Sequence, residues 1–474
     1  MMGHQPDSQG KLFYPSLNLD KRIRPDHILR KIKSTIDFNF IYNEVKDKYG
    51  NKGNVSIPPP VILKLMLLLI LYNVRSEREL MQTLPERLDW LWFLDYDLDD
   101  ELPHHSVISK ARRRWGVKTF KHFFDRIVRQ CIKSNLVDGS KLFMDSSYIG
   151  ANASKNSVVK TEDLERNYRL LEDRLDDKDN PPEGGGTVNT HYSSKTDPDA
   201  SIIRRGKIQS DLMYQAHRSV DEQDEIITST IVSPGAENEA HYLSDLVENH
   251  TMITGKSPHT VVADSKYGTI ENYLYCYDHK INAHITPLER IFKDNRMRSK
   301  IFPREYFHYN RQKDEYICPA GEILKRRHYY KRRQHYEYKA HKHVCSNCKL
   351  QSQCTRSPVG RTIKRHIRQD ELDIMYFLAM QERSISDIKM RQHLMERSYA
   401  KSERYGYKRA RWRRLWRVQI QEYLTASILN IKALIKHRNK PVLSLKNRLN
   451  DQKNLILNRF FMFLKKKMVL LVIL

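Results

Sequence analysis

The residues best suited to chemistry are acids that end apolar runs. Leu142-Phe143-Met144 leads into Asp145, and Thr260-Val261-Val262-Ala263 leads into Asp264. Each run reads as a buried strand. Each acid is therefore held on a rigid element, in the crevice outside the strand ends where α/β sheets bind ligands. Two carboxylates brought together there repel unless a cation sits between them. Mg²⁺ or Mn²⁺ takes oxygen ligands, and two such ions about 3.5–4 Å apart can activate an attacking oxygen and stabilise a leaving one in phosphoryl displacement. A third carboxylate normally completes such a site. Taken singly, an Asp after a strand is more often a turn former or a helix cap.

Cysteines form the second cluster. Cys318, Cys345-Ser346-Asn347-Cys348 and Cys354 place four thiols within 37 residues. A two-residue gap lets two thiolates grip one tetrahedral ion, and structural Zn²⁺ favours four such ligands. His341 and His343 are alternative ligands, and inert or redox cysteines are the plainer account. Cys131 and Cys276 lie in apolar contexts and read as core.

Cations form the third. Lys325-Arg326-Arg327 and Lys331-Arg332-Arg333 interleave with Tyr329, Tyr330, Tyr336 and Tyr338; Arg409, Arg411, Arg413, Arg414 and Arg417 flank Trp412 and Trp416. Such charge neutralises phosphates while the rings stack or pack along a backbone. A charge run alone is usually a solvated face. Over the whole chain, 83 Lys and Arg against 57 Asp and Glu leave a formal charge of +26, which self-repels unless a polyanion is bound. Nucleic acid is the expected partner. The N-terminal residues are polar, unlike a signal peptide, and the longest apolar run, Val61 to Tyr72, is shorter than the roughly 20 residues of a membrane span. A cytoplasmic, nucleoid-associated protein is expected, without a membrane partner.

The elements that must position these residues fall into five segments. Residues 1–137 read as a helical domain for DNA binding or dimerisation. Ile57-Pro58-Pro59-Pro60 sets up one helix, Ser76 caps a second, and Ser106 caps a short basic one with Lys110, Arg112, Arg113 and Arg114 that Gly116 stops. This outline fits a helix-turn-helix reader or an ordinary helix with a solvated basic face. Residues 138–286 read as strand, hairpin, helix, strand, helix, strand, an α/β layout with a mixed sheet, interrupted by a Gly/Pro-rich loop from Val159 to about Gly186. Residues 287–370 are a Cys-rich basic insertion, 371–440 are helical with a break near Tyr405-Gly406-Tyr407, and 441–474 form a basic and apolar tail.

Several motifs carry a family resemblance. Met144-Asp145-Ser146-Ser147-Tyr148-Ile149-Gly150-Ala151-Asn152-Ala153-Ser154 resembles the first-acid motif of DDE transposases from bacterial insertion sequences. Thr196-Asp197-Pro198-Asp199-Ala200 is similar to the segment before their second strand, and Ala263-Asp264-Ser265-Lys266-Tyr267-Gly268 with Glu271-Asn272 to their second-acid motif. Glu396-Arg397-Ser398-Tyr399-Ala400, followed by Tyr405-Gly406 and Arg409-Ala410-Arg411-Trp412-Arg413, resembles the third. Asp26-His27 through Ser76-Glu77-Arg78-Glu79-Leu80 resembles the domain that precedes this core. The resemblance spans roughly residues 15–437 and is nearest the IS-eleven-eighty-two-type group.

The resemblance implies a multidomain α+β protein. A helical N-terminal domain precedes a ribonuclease-H-like core with Asp145 on its first strand, Asp264 on its fourth and Glu396 on a helix after a zinc-binding insertion. It implies metal-dependent cleavage at element ends and strand transfer into target DNA, by a homodimer that binds terminal inverted repeats. Glu403 competes with Glu396 as third acid. Related sequences usually carry a DNA-contacting Lys seven residues after that acid, where this chain has Glu403; Lys401 and Lys408 are the candidate replacements. The rival readings are a non-catalytic DNA-binding protein derived from a transposase and a ribonuclease-H-like nuclease without strand transfer.

Overall fold

The computed structural model describes residues 1–4, 18–161, 187–204, 210–287 and 301–438. Most of the Gly/Pro-rich loop and the expected tail at 441–474 lie outside the described residues. The chain divides into two compact units, Met1–Leu136 with the segment from Ser427, and Val137–Ala426.

The first unit is helical: α1 (Leu19–Arg22), α2 (Ile28–Thr35), α3 (Phe40–Val45), α4 (Pro59–Leu71), α5 (Glu77–Thr83), α6 (Leu88–Leu94) and α7 (Ser106–Lys133). Prolines at the start of α4 need no helical N–H partner there, and the apolar run behind them is buried on every side. Its one cation, Lys64, reaches Asp95 at 2.6 Å. The Ser76 hydroxyl accepts from Glu79 N at 3.1 Å, the cap expected from sequence. At Ser106 the expectation fails. Ser106 is the first residue of α7, and the imidazole of His104 accepts its N–H instead, at 3.3 Å. Gly116 breaks α7 as expected, with φ 70° and ψ 173°.

The second unit is built on a mixed sheet: β1 (Lys141–Gly150), β4 (Ser201–Ile203), β5 (Asp211–Asp221), β6 (Ile227–Pro234), β7 (Thr260–Val262) and β8 (Asn282–His284). A separate small pair joins β2 (Val158–Lys160) to β3 (Tyr192–Ser194), beside the short helix α8 (Thr187–His191). The hairpin β5–β6 adds antiparallel to β1, whereas β7 and β8 follow in parallel on its other edge. The run is β6-β5-β1-β7-β8, with β4 against the start of β5.

Strand alternation then sorts the side chains. Leu142 and Met144 enter one core with Val261, Ala263 and Ala283, covered by α9 (Leu243–Thr254), α10 (Ile270–Asp278) and α13 (Gln369–Ala379). Asp145 and its register partner Arg218 face the other way, toward α14 (Glu382–Glu403). Glu422, near the start of α15 (Leu415–Arg438), closes that face: Arg218 Nε and Nη2 donate to its carboxylate at 2.6 and 2.9 Å, with neither side chain exposed. The rings of Tyr399 and Tyr407 lie 4.7 Å from the same guanidinium.

The Cys-rich insertion is a sheet, which its sequence did not announce. Its strands are β9 (His308–Asn310), β10 (Glu315–Ile317), β11 (Ile323–Tyr330), β12 (His335–Lys339) and β13 (Thr362–His366), in antiparallel order β13-β12-β11-β10-β9. A small core of Phe307, Tyr316, Leu324, Tyr338, Ala340 and Ile363 holds it. Two short helices, α11 (Lys342–Ser346) and α12 (Gln351–Cys354), carry the later cysteines.

Candidate active site

The register of two parallel strands brings Asp145 and Asp264 together. Phe143 pairs with Val262, and each aspartate lies two residues further on: Asp264 just past the end of β7, and Asp145 in the middle of β1, which does not end on the acid as expected but runs on to Gly150. The Asp145 carboxylate accepts from Ser146 N at 2.8 Å and from the Arg391 guanidinium of α14 at 2.7 Å. Its backbone carbonyl accepts from the Tyr399 hydroxyl at 2.9 Å. Burial pushes the Asp145 carboxyl above its ordinary range; Arg391 opposes that, while the nearby charges of Asp264 and Glu239 add to it. Asp264 caps a one-turn 3-10 helix, Ser265–Tyr267, accepting from Ser265 N at 2.5 Å.

Both aspartates line a crevice of about 630 Å³ with Ser146, Tyr148, Glu239, Lys266, Tyr399, Glu403, Lys408 and Arg409. Glu396 is not in that lining. It is exposed on α14 and accepts from Gln392, one turn earlier, at 3.1 Å. Glu403 is in the lining, paired with Lys408 at 2.9 Å. Of the two candidate replacement lysines, only Lys408 faces the crevice; Lys401 pairs with Glu225 at 2.7 Å.

Sequence reasoning missed Glu239, Arg391, Tyr399 and Lys266. Glu239 looked like an ordinary acid at a helix start, and Arg391 like one more cation on a charged helix. The Tyr and Lys stand inside quoted motifs, and their positions next to acids were the only signal.

Among the described residues, no group of three or more His, Cys, Asp or Glu side chains is arranged to hold a metal ion. At the acids, Arg391 takes one Asp145 oxygen and Glu396 points to its own helix. The four cysteines are gathered around the insertion core, where Cys318, Cys345 and Cys354 pack. Burial pushes the Cys354 thiol up, Arg361 lowers it, and Cys318, Cys345 and Cys348 raise it further, which places the four within electrostatic reach of one another.

The expected DNA-contacting arginines divide. Arg112 does not fit that role: it is 4% exposed and donates to Glu77 at 2.7 Å, because its position on α7 points into the helical core. Arg113 and Arg114 are exposed, the latter over the Tyr49 ring. In the insertion, Arg326 pairs with Asp314 at 2.7 Å and Arg327 approaches His341, while Arg332 and Arg333 stand exposed at the β11–β12 turn. Arg409 and Arg413 are exposed, and Arg411 is half-buried, donating to the Tyr405 carbonyl at 3.0 Å. This arginine-rich segment is tied to the end of β1: Gly150 N donates to Lys408 O, and Ala410 N to Gly150 O. Asp197 and Asp199 accept from Arg414 N and Leu415 N at 2.8 Å each.

The fold and crevice define a mixed α+β protein with two aspartates on neighbouring parallel strands, one within β1 and one just past β7, and a rim of cations. Residues 17–114 match the family described as a transposase domain (DUF772), and residues 317–435 match the one described as a transposase DDE domain. Both matches agree with the motif resemblance of the chain to DDE transposases. The second match covers Glu396 and the four cysteines but neither Asp145 nor Asp264. No curated protein matches the chain. A cryo-EM structure of a piggyBac transposase synaptic complex with hairpin DNA aligns over 86% of this chain and 72% of that one, at 10% identity and a TM-score of 0.34, too slight a likeness to bear on fold or function. Among the described residues no helix is long and apolar enough to cross a membrane.

Proposed function

We propose that this chain is a DNA transposase that cleaves phosphodiesters at the ends of an insertion sequence and joins them to target DNA, with Asp145, Asp264 and Glu396 as its acids. The observation that carries the reading is that Asp145 and Asp264, from neighbouring parallel strands, line one cation-rimmed crevice, in a chain that matches transposase domains. The strand order β6-β5-β1-β7-β8, with an antiparallel hairpin on one side of β1 and parallel strands on the other, supports a ribonuclease-H-like core.

The donor set suits a hard dication: carboxylate oxygens close enough that the charge of one raises the proton affinity of the other. Asp145 and Asp264 would hold Mg²⁺ or Mn²⁺, with Glu396 brought in from α14. Bound metal would supply Lewis-acid stabilisation of the phosphoryl oxygens. The chain's own residues do the rest. Arg391 neutralises Asp145 in the absence of metal, Tyr399 fixes the β1 backbone beneath it, and Lys266, Lys408 and Arg409 offer positive charge to the DNA backbone. The exposed Arg332 and Arg333 of the insertion, and separately Arg113 and Arg114 of α7, are further candidate contacts to DNA. A homodimer acting on inverted repeats, in the cytoplasm at the nucleoid, completes the reading.

Asp145→Asn should abolish Mg²⁺- or Mn²⁺-dependent cleavage of DNA carrying the inverted repeats that flank the gene, while DNA binding survives. Cleavage retained by that variant sinks the assignment. Binding without cleavage by the unaltered chain would identify the non-catalytic derivative instead, and cleavage without joined products a simple nuclease.

For the insertion we propose a structural Zn²⁺ held by Cys318, Cys345, Cys348 and Cys354. Four thiols around one small core are the ligand set that soft tetrahedral sites use. Zn²⁺ titration should raise the melting temperature and Cys348→Ser should remove that shift; an unchanged melting curve argues against the site.

A further inference from the structure

Glu239 pairs with Lys266, and the three-acid reading leaves this fourth acid of the crevice without a role. Glu239 opens a one-turn 3-10 segment, Glu239–Tyr242, and is 4% exposed, yet it lines the crevice. One carboxylate oxygen accepts from the hydroxyl of Ser146, the residue after Asp145, and from Gln215 Nε2 at 3.4 Å. The other receives the Lys266 ammonium at 2.7 Å. The two partners differ in environment: the Lys266 side chain is 61% exposed where that of Glu239 is 4% exposed.

That asymmetry has a consequence. A lysine ammonium has three N–H donors, and Glu239 engages it from the buried side. Lys266 itself lines the crevice, with its side chain 61% exposed. Lys266 follows Asp264 by two residues and lies within electrostatic reach of it. Without Glu239, this flexible cation would be drawn to the paired aspartates and would neutralise them. The 2.7 Å ion pair with the buried Glu239 therefore holds the ammonium in the crevice that the aspartates line. Lysine binds phosphate as a compact point charge, so the pair with Glu239 gives the cation offered to the DNA backbone a fixed post.

We infer that Lys266 is a phosphate-binding residue of the crevice and that Glu239 is its positioning residue, holding the ammonium toward the DNA backbone and away from Asp264. The inference rests on the reading of DNA as substrate.

The test is binding of a fluorescein-labelled duplex from the DNA flanking the gene, in EDTA, across a salt series. One lost phosphate contact lowers the slope of log affinity against log salt by about 0.9, which weakens binding about eightfold at 0.1 M relative to 1 M salt. Lys266→Gln should show that loss, and Lys266→Arg should restore the slope. Glu239→Gln alone should show a similar loss, and the double variant Lys266→Gln/Glu239→Gln no more than Lys266→Gln. The double variant leaves no buried charge unpaired, so it separates a binding defect from a folding one. If the unaltered chain binds with a steep slope and Lys266→Gln keeps it, the inference falls while the transposase reading stands. If the unaltered chain shows no salt-dependent binding, both fall. A further loss in the double variant overturns the positioning role of Glu239.

Discussion

Glu403 stands where related transposases usually carry a lysine, and its surroundings let the consequence be worked out. Its carboxylate lines the crevice and holds Lys408 at 2.9 Å, with side-chain exposures of 46% for Glu403 and 74% for Lys408. An ion pair that exposed is worth roughly 0–1 kcal/mol, so breaking it should barely alter stability. Its effect on DNA is larger, because Glu403 both repels phosphates and occupies the lysine best placed to meet them. Glu403→Gln frees one cation, which should steepen the salt dependence of log affinity by about 0.9 and tighten binding about eightfold at 0.1 M salt, relative to 1 M. Glu403→Lys adds a second, for a change in slope of about 1.8 and roughly sixtyfold. Fluorescence anisotropy with a labelled duplex in EDTA reads both. Lys408→Met in the Glu403→Gln background should cancel the gain. An unchanged slope in Glu403→Gln would refute the claim that Lys408 is a DNA contact held in check by its neighbour.

Two further outcomes follow from buried groups in the second unit. Arg218→Met strands the Glu422 carboxylate where neither side chain was exposed, and should cost roughly 3–5 kcal/mol in denaturant unfolding, whereas Arg218→Met/Glu422→Leu should recover most of it; equal losses in the single and double variants would show that the pair is not the cause. Burial drives His217 down to about 3 and His250 down to about 4, from an ordinary value of 6.5. Both are neutral in the folded chain and charged when unfolded in acid, so stability is full above pH 6.5 and falls below it until the folded values are reached. Each histidine contributes a slope of about 1.4 kcal/mol per pH unit across its window. His250→Gln should remove one such contribution between about pH 6 and 4.5, measured by denaturation across pH, and an unaltered slope would sink the assignment.

The sequence alone marked two of the strands in the second unit. Leu142–Met144 and Thr260–Ala263 are short, continuously apolar and end on acids, a local signal strong enough to place two strands and both aspartates. The caps and breaks at Ser76 and Gly116 were equally local, since each depends on one side chain or one φ angle. Composition pointed to a polyanionic partner because net charge is additive and needs no fold. The insertion sheet was not legible: its strands are dense in Lys, Arg and His, and β11 is exposed along nearly all its length, so no alternation marks it.

Only the tertiary structure decided which charges meet. Arg112 and Arg113 are neighbours in a basic run, yet one is buried against Glu77 and the other faces water, because successive helix positions point about 100° apart. Strands β2 to β6 lie between Asp145 and Glu239 in the chain, and only the fold brings both to one crevice. Glu396 shows the opposite case. Its motif was readable from sequence, but its distance from the aspartates depends on the rotation and position of α14, which no local pattern encodes. There the structure places Arg391 against Asp145 and leaves Glu396 exposed beside Gln392.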